Sequence, residues 1–445
     1  MVSFDILLNN NMCSLYKSRY LKFKNFKIAI LASIGSGFEY YDFIIYGMMA
    51  KYIAIIFFPL QSELLGIMKT FAIFAAGYFI RPIGGTIFGI LADVYGRKKI
   101  FIVVMLMMSC STFGIGIMPT YNQIGIFSPI FLIICRLLQG ISYGAELPNA
   151  ITIISETSEE KNLGKFCSLV LSCTSIGALI AAVTLSMISS NFTHEEIIDY
   201  AWRIPFILGG SLAIISYIIR VNLPEIKETS YSKFSKKSIV IPLVNLFKYK
   251  FKDLLIALGL AFFLATLVII NIYLPVWFLK HFNYTLTEVY EAMTLSMIIS
   301  SLFMLFFGWL SDIISKFKLL RFSIIGVACS LYPMYIIIDQ KCLYSIKLFF
   351  IFYQFWISCF YTSYMPILSN LFASEYRCTA IAIVINSAFA LASLIPLIDS
   401  HIFSGFKSPL SIGVFFLLSV FIGLVSYIGI TIQNTSIDQG KKVIN

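Results

Sequence analysis

The chain has 445 residues, of which 59% are hydrophobic and only 12% charged, with a mean hydropathy of +0.88. That is about half the charge of a soluble domain, so the chain is a polytopic membrane protein. Its formal net charge of +11 does not point to nucleic acid, because the basic residues lie in short loops between apolar runs, where they set topology. The nine cysteines are an odd number, lie mostly inside apolar runs and contain no Cys-x-x-Cys, so they support neither a disulfide framework nor a zinc site.

About twenty apolar residues cross a bilayer. On that ruler the chain predicts an all-α protein with twelve spans: 28–56, 67–91, 100–118, 128–150, 164–188, 203–220, 253–278, 288–311, 320–338, 346–370, 378–398 and 409–432. Pro82, Pro275, Pro366 and Pro396 fall inside spans, where membrane helices tolerate kinks. The apolar run after the polar N-terminus is too long for a cleavable leader and has no small-residue cleavage site. The expected organisation is a tail 1–27, a first six-helix bundle 28–220, a linker 221–252, a second six-helix bundle 253–432 and a tail 433–445.

Lys17, Arg19, Lys22, Lys24 and Lys27 of the first tail, Arg97, Lys98 and Lys99, eight basic residues between 220 and 252, and Lys316, Lys318 and Arg321 alternate with nearly bare loops. Both termini are therefore expected in the cytoplasm. His194, His281 and His401 then lie in separate external loops, which argues against an intramembrane metal site. Ile239–Phe247 is expected as an interfacial helix of the linker. The external loop 189–202, with Glu195, Glu196 and Asp199, is expected as a solvated turn, and the final tail is too short for a coiled coil.

Charges inside the spans carry the functional argument. Glu39, Asp42 and Tyr46 of span one are spaced i, i+3 and i+7 and share one helix face. Carboxyls at such depth cost several kcal/mol unless solvated, paired or protonated, and are functional by default. Desolvation favours their neutral form, so Glu39 or Asp42 could load a proton outside and release it inside; a structural ion pair is the plainer reading. Arg81 sits in mid-span two. Along span four, Arg136, Gln139, Tyr143 and Glu146 form a polar stripe that a lipid-facing helix has no reason to carry. A guanidinium binds a carboxylate bidentately, so Arg136 is a substrate candidate, and a bridge to Asp42 or Glu39 is nearly as good a reading. The second half is sparser, with Asn271, Tyr273, Gln354, Trp356, Tyr361, Tyr364 and Asn386; Asn386 is favoured because an unpaired amide in a span is costly.

Gly89–Lys99 packs Asp93 and three cations into a short loop after span two. Gly89, Asp93 and Glu156 recur as Gly308, Asp312 and Glu375, each 219 residues on, which suggests two equivalent halves of the kind that transporters use. Gly96 gives the loop flexibility. Asp93, Arg97, Asp312 and Lys316, with Glu156, Glu375 and Arg377 at the ends of spans four and ten, are expected to latch the cytoplasmic side when it is shut.

At these residues the chain resembles the major facilitator superfamily, and within it the metabolite:proton symporter family. The loop Gly89–Lys99 nearly meets the superfamily pattern. The narrower signature is matched at Phe38-Glu39-Tyr40-Tyr41-Asp42-Phe43 with Tyr46-Gly47, at Phe57-Phe58-Pro59, at Arg81-Pro82-Ile83-Gly84, from Arg136 to Glu146, and at Trp202-Arg203-Ile204-Pro205-Phe206. The second half is looser: Arg377-Cys378-Thr379-Ala380 resembles the motif before span eleven, while Ala390-Leu391-Ala392-Ser393, Ser315 and Ala145 replace family glycines. The resemblance implies two six-helix bundles around a central site and proton-driven uptake of a small metabolite. It is nearest to proline/betaine carriers, with carriers of 2-oxoglutarate, citrate or shikimate as the alternative.

The expected activity is thus proton symport of a small zwitterion, such as proline or betaine, by a monomer in a bacterial inner membrane, with no cofactor or metal. Proton coupling is assigned to Glu39 and Asp42, and substrate contacts to Arg136, Arg81, Gln139, Tyr143, Glu146, Tyr46 and Asn386. An exchanger or facilitator is less favoured, because span five lacks the proline of drug antiporters. A membrane enzyme, a sensor or an ATP-driven pump lacks, respectively, clustered catalytic groups, an output domain or a P-loop.

Overall fold

The computed structural model describes residues 26–58, 63–221, 241–282, 284–339, 342–402 and 411–444. Twelve major helical segments occupy them: α1 Phe26–Met48, continued after a turn at Met49 by Ala50–Phe57; α2 Glu63–Tyr95; α3 Arg97–Ile117; α4 Phe127–Thr157; α5 Leu163–Asn191; α6 Arg203–Val221; α7 Phe251–His281; α8 Leu286–Ile313; α9 Lys316–Asp339; α10 Leu343–Leu371; α11 Arg377–Ala392; and α12 Ser411–Ile444. Each overlaps one span read from the sequence; most ends shift by a few residues, and the last residues of α4, α11 and α12 by more.

Nine of these helices are long and apolar enough to cross a membrane on their own. A tenth crossing is a bent pair, His194–Ala201 with α6, angled at 44°. That segment departs from expectation. The loop 189–202 is not a loose solvated turn, because Thr193 and Glu196 form a capping box and Ile197, Ala201 and Trp202 are buried. The sequence signal for polarity there came from side chains on one face only. α11 is short because the chain turns at Ser393–Leu394 before resuming as Ile395–Ile402. α12 runs on to Ile444, past the end expected at 432. The linker helix appears at Ile241–Tyr249, displaced by two residues from its expected position. Residues 1–25 of the expected tail and 222–240 of the expected linker lie outside the described residues, and the last two tail residues, Phe26 and Lys27, open α1.

Large apolar side chains such as Ile117, Met187, Leu302 and Phe421 stand outward and exposed, as a belt that meets lipid chains must. Inside, α2 packs on α4 at backbone distance: a Cβ on Gly140 would strike the Gly77 carbonyl, and one on Gly144 the Arg81 carbonyl. Small residues four apart allow such approach in membranes, where no hydrophobic force separates helix from lipid. The halves meet chiefly where α2 lies on α11 and α5 on α8.

Candidate functional site

Between the halves, near the middle of the helices, lies a cavity lined by α1, α2, α4 and α5 on one side and by α7, α8, α10 and α11 on the other. α3, α6, α9 and α12 contribute nothing to it. Arg81 is the one charged side chain in this lining among the described residues. Its guanidinium carbon lies 3.9 Å from the ring centroids of both Phe43 and Tyr78 and 4.4 Å from that of Tyr143. Stacking suits a planar, weakly hydrated guanidinium. Nε and Nη2 nevertheless have no hydrogen-bond partner, and the residue is only 4% exposed. A buried cation holding unused donors beside a cavity can accept an anion.

Of the sequence-derived substrate residues, Arg81, Tyr143 and Asn386 line the cavity. Asn386 is not a spare amide. Its Nδ2 donates to the Gly144 carbonyl across the halves at 2.6 Å and to Ala382 O at 2.8 Å. Arg136, Gln139, Glu146 and Tyr46 lie behind the lining, packed inside the first half. Arg136 donates to Gln139 Oε1 and to the Phe43 carbonyl, and Glu146 accepts from Ser36 Oγ. Asp42, one of the expected bridge partners of Arg136, has no hydrogen-bond partner on either carboxyl oxygen. Asp42 and Glu39 are both buried on α1. From the second half, Asn271, Gln354 and Tyr361 reach the cavity, whereas Tyr364 bonds Ala257 O and Trp356 packs against Phe322.

Sequence reasoning missed Tyr40 and Tyr78, although Tyr78 stands one turn before Arg81 on the same face. It also missed Asp399. This carboxyl, 3% exposed, accepts from Tyr273 Oη at 2.9 Å through Oδ2, while Oδ1 has no partner. The apolar neighbours of Asp399 were the available signal; ending span eleven at 398 concealed it.

The end of the molecule that carries the 92–96 turn is tied shut. Asp93 accepts from the backbone N–H of Thr379 (2.9 Å), from its hydroxyl (2.6 Å) and from Cys378 N–H (3.3 Å), so it caps α11 of the opposite half. Asp312 does the same for α5, accepting from Gly164 N–H (2.8 Å) and Lys165 N–H (2.9 Å). The two repeated aspartates thus make reciprocal contacts. Their glycines do too: a Cβ on Gly89 would lie 2.9 Å from Thr379 Cα, and one on Gly308 would strike Ser168.

Arg97 bridges Asp93 (2.8 Å) and Glu156 (2.6 Å) and donates to Ser374 O (2.7 Å). Gly96 makes this reach possible with φ +101°, a left-handed conformation that L side chains resist. Arg377 donates to Ser155 Oγ, and Lys316 to Glu160 O. Glu375 alone of the expected latch residues stands exposed and apart from these contacts.

A helical bundle of this kind, with a cavity between halves and a cross-tied end, defines a membrane carrier. The Major Facilitator Superfamily profile matches residues 43–397, and the chain belongs to that family, whose fold is two six-helix bundles. It is similar to a putative proline/betaine transporter of Staphylococcus haemolyticus, strain JCSC1435, at 30% identity over 84% of this chain and 81% of that one. The proline/betaine transporter of Escherichia coli K12 is 26% identical over 92% of this chain and 84% of its own. Among solved structures, the proton:xylose symporter XylE superposes with a TM-score of 0.73 at 17% identity, over 92% of this chain and 95% of that one.

Proposed function

We propose that this major facilitator transporter imports a small zwitterion of the proline or betaine type together with protons. The observation that carries the reading is Arg81: one buried cation with two unused donor nitrogens, in a cavity otherwise lined by neutral groups. A single carboxylate satisfies it. The substrate's ammonium then faces Tyr40 and Tyr361, whose rings attract a cation and supply no competing charge. A dicarboxylate or tricarboxylate would bring further negative charges with no cation to meet them. The relatives named above support the same substrate class.

Glu39 and Asp42 are the proposed proton carriers. The tied end is the cytoplasmic face, by the basic loops that flank it, so substrate and proton load from outside and the latch opens to release them inward. The setting is a bacterial inner membrane, with both termini cytoplasmic and the monomer as the working unit. Uptake into proteoliposomes under an imposed inward proton gradient tests this. Accumulation of radiolabelled proline or betaine that collapses with an uncoupler is expected. Uptake of citrate or 2-oxoglutarate in preference, or indifference to the uncoupler, would sink the reading.

A further inference from the structure

The cavity wall contributed by the second half carries amides in place of charges. Asn271 lies on α7 and Gln354 on α10, and both line the cavity that holds Arg81. Tyr353 Oη donates to the Leu267 carbonyl at 2.7 Å, which pins α10 to α7 one residue before Gln354 and one helical turn before Asn271. Val268, on the same face of α7 as Asn271, lines the cavity as well. Asn271 differs from Asn386, the amide of α11 in the same lining. Asn386 Nδ2 already donates twice, whereas Asn271 Oδ1 is enclosed and accepts no hydrogen bond. An amide oxygen left in that condition is costly, and the cost ends when a donor reaches it. The last torsion of an asparagine is broad, so turning the amide to present Oδ1 to the cavity costs little.

The remaining groups of the lining do not tell one zwitterion from another. Arg81 takes a carboxylate whether or not the nitrogen beside it is methylated. The rings of Tyr40 and Tyr361, which face Arg81, attract a quaternary ammonium as well as one that carries N–H groups. An unpaired amide oxygen does discriminate. A secondary ammonium such as that of proline offers it two N–H donors. A quaternary ammonium offers none and sets a methyl group against it. A site that bonds a substrate N–H rejects the analogue lacking it, because its own polar atom is then left unpaired. No carboxylate lines the cavity among the described residues, so no anion competes for the ammonium there.

We infer that Asn271 is a specificity-determining residue whose Oδ1 accepts an N–H of the bound ammonium, so that the carrier selects zwitterions that keep an N–H, of which proline is one, over fully N-methylated betaines. This rests on the zwitterion reading of the cavity and narrows it. The two halves then divide the substrate between them: α2 of the first holds the carboxylate through Arg81, and α7 of the second reads the nitrogen through Asn271.

The test is displacement of radiolabelled proline from the purified full chain by N-methylproline and by N,N-dimethylproline, beside gradient-driven proline uptake in proteoliposomes. In the wild type the dimethyl compound is expected to bind at least about tenfold more weakly than proline, as loss of one hydrogen bond to a charged group implies. The monomethyl compound keeps one N–H and should stay within about threefold of proline. In Asn271→Leu, of similar volume and without an acceptor, proline should weaken until its advantage over the dimethyl compound falls below about threefold. Asn271→Asp, which keeps the oxygen, should restore that advantage. Equal binding of proline and N,N-dimethylproline by the wild type would overturn the inference, and this comparison needs no variant. The wild-type advantage retained in full by Asn271→Leu would overturn it too. Proline uptake indifferent to an uncoupler would remove proton coupling alone and leave the ranking to decide on Asn271. Absence of proline binding would remove the zwitterion reading, and this inference with it.

Discussion

Arg81 and Arg136 are the same residue type in adjacent helices, yet their surroundings give them different work. Arg136 gives both terminal nitrogens to Gln139 and the Phe43 carbonyl and leaves only Nε unbonded behind the lining, whereas Arg81 keeps Nε and Nη2 unused at the cavity. Arg81→Gln should therefore raise the KM for uptake by at least about tenfold, since a hydrogen bond to a charged group is worth ~1.5–3 kcal/mol. Arg81→Lys should recover little of this, because an ammonium neither stacks on Phe43 and Tyr78 as a plane nor forks to a carboxylate. Measuring KM for both variants distinguishes this from a purely structural role, in which Vmax and yield would fall and KM would not. Asp399 provides a second case. Tyr273→Phe leaves its carboxyl without the hydroxyl donor, a cost of about 1–3 kcal/mol that should appear as a lowered Tm in detergent. Asp399→Asn should lower it less, because an amide oxygen still accepts.

Among the elements, the cross-tied end is built from helix ends. Asp93 and Asp312 each hold the N-terminus of a helix in the other half, where backbone N–H groups and the helix dipole favour a carboxylate. The two caps are unequal. Asp93 has three donors plus Arg97, while Asp312 has two backbone donors. Asp93→Asn should therefore open the tied end more often than Asp312→Asn, by a further roughly tenfold in population if one charged hydrogen bond of ~1.5 kcal/mol separates them. Distances between spin labels placed on either side of that end would report the populations. Equal opening in the two variants would contradict this ranking. Gly89→Val should also hold the end open, because its side chain would meet the Thr379 backbone.

For the molecule as a whole, the tied end predicts that transport needs this contact to break and re-form. Gly164 and Ser311 lie on opposite halves so close that a Cβ on the former would overlap the hydroxyl of the latter. Gly164→Cys with Ser311→Cys, in a background freed of other cysteines, should cross-link under oxidation. Uptake should then fall to background and return on reduction. Transport unaffected by the cross-link would mean that the halves do not separate at this end.

The chain's own pattern of residues determined that it spans a membrane twelve times, that its halves repeat, and which polar side chains sit at depth. These follow from hydrophobicity, loop charge and helical spacing, all local quantities. It also revealed both members of the aspartate pair, because the same cap is needed twice at the same distance along the chain. What local patterns do not carry is direction. Arg81 and Arg136, Asn271 and Tyr273, or Tyr361 and Tyr364 look alike along the chain, since each is a polar group in an apolar helix. Which one faces the cavity, which stacks behind it and which bonds a neighbouring backbone depends on how α2, α4, α7 and α10 are rotated against their neighbours. That rotation is set by contacts between residues far apart in the chain, such as Gly140 on Gly77 and Asn386 on Gly144, and only the assembled bundle decides it.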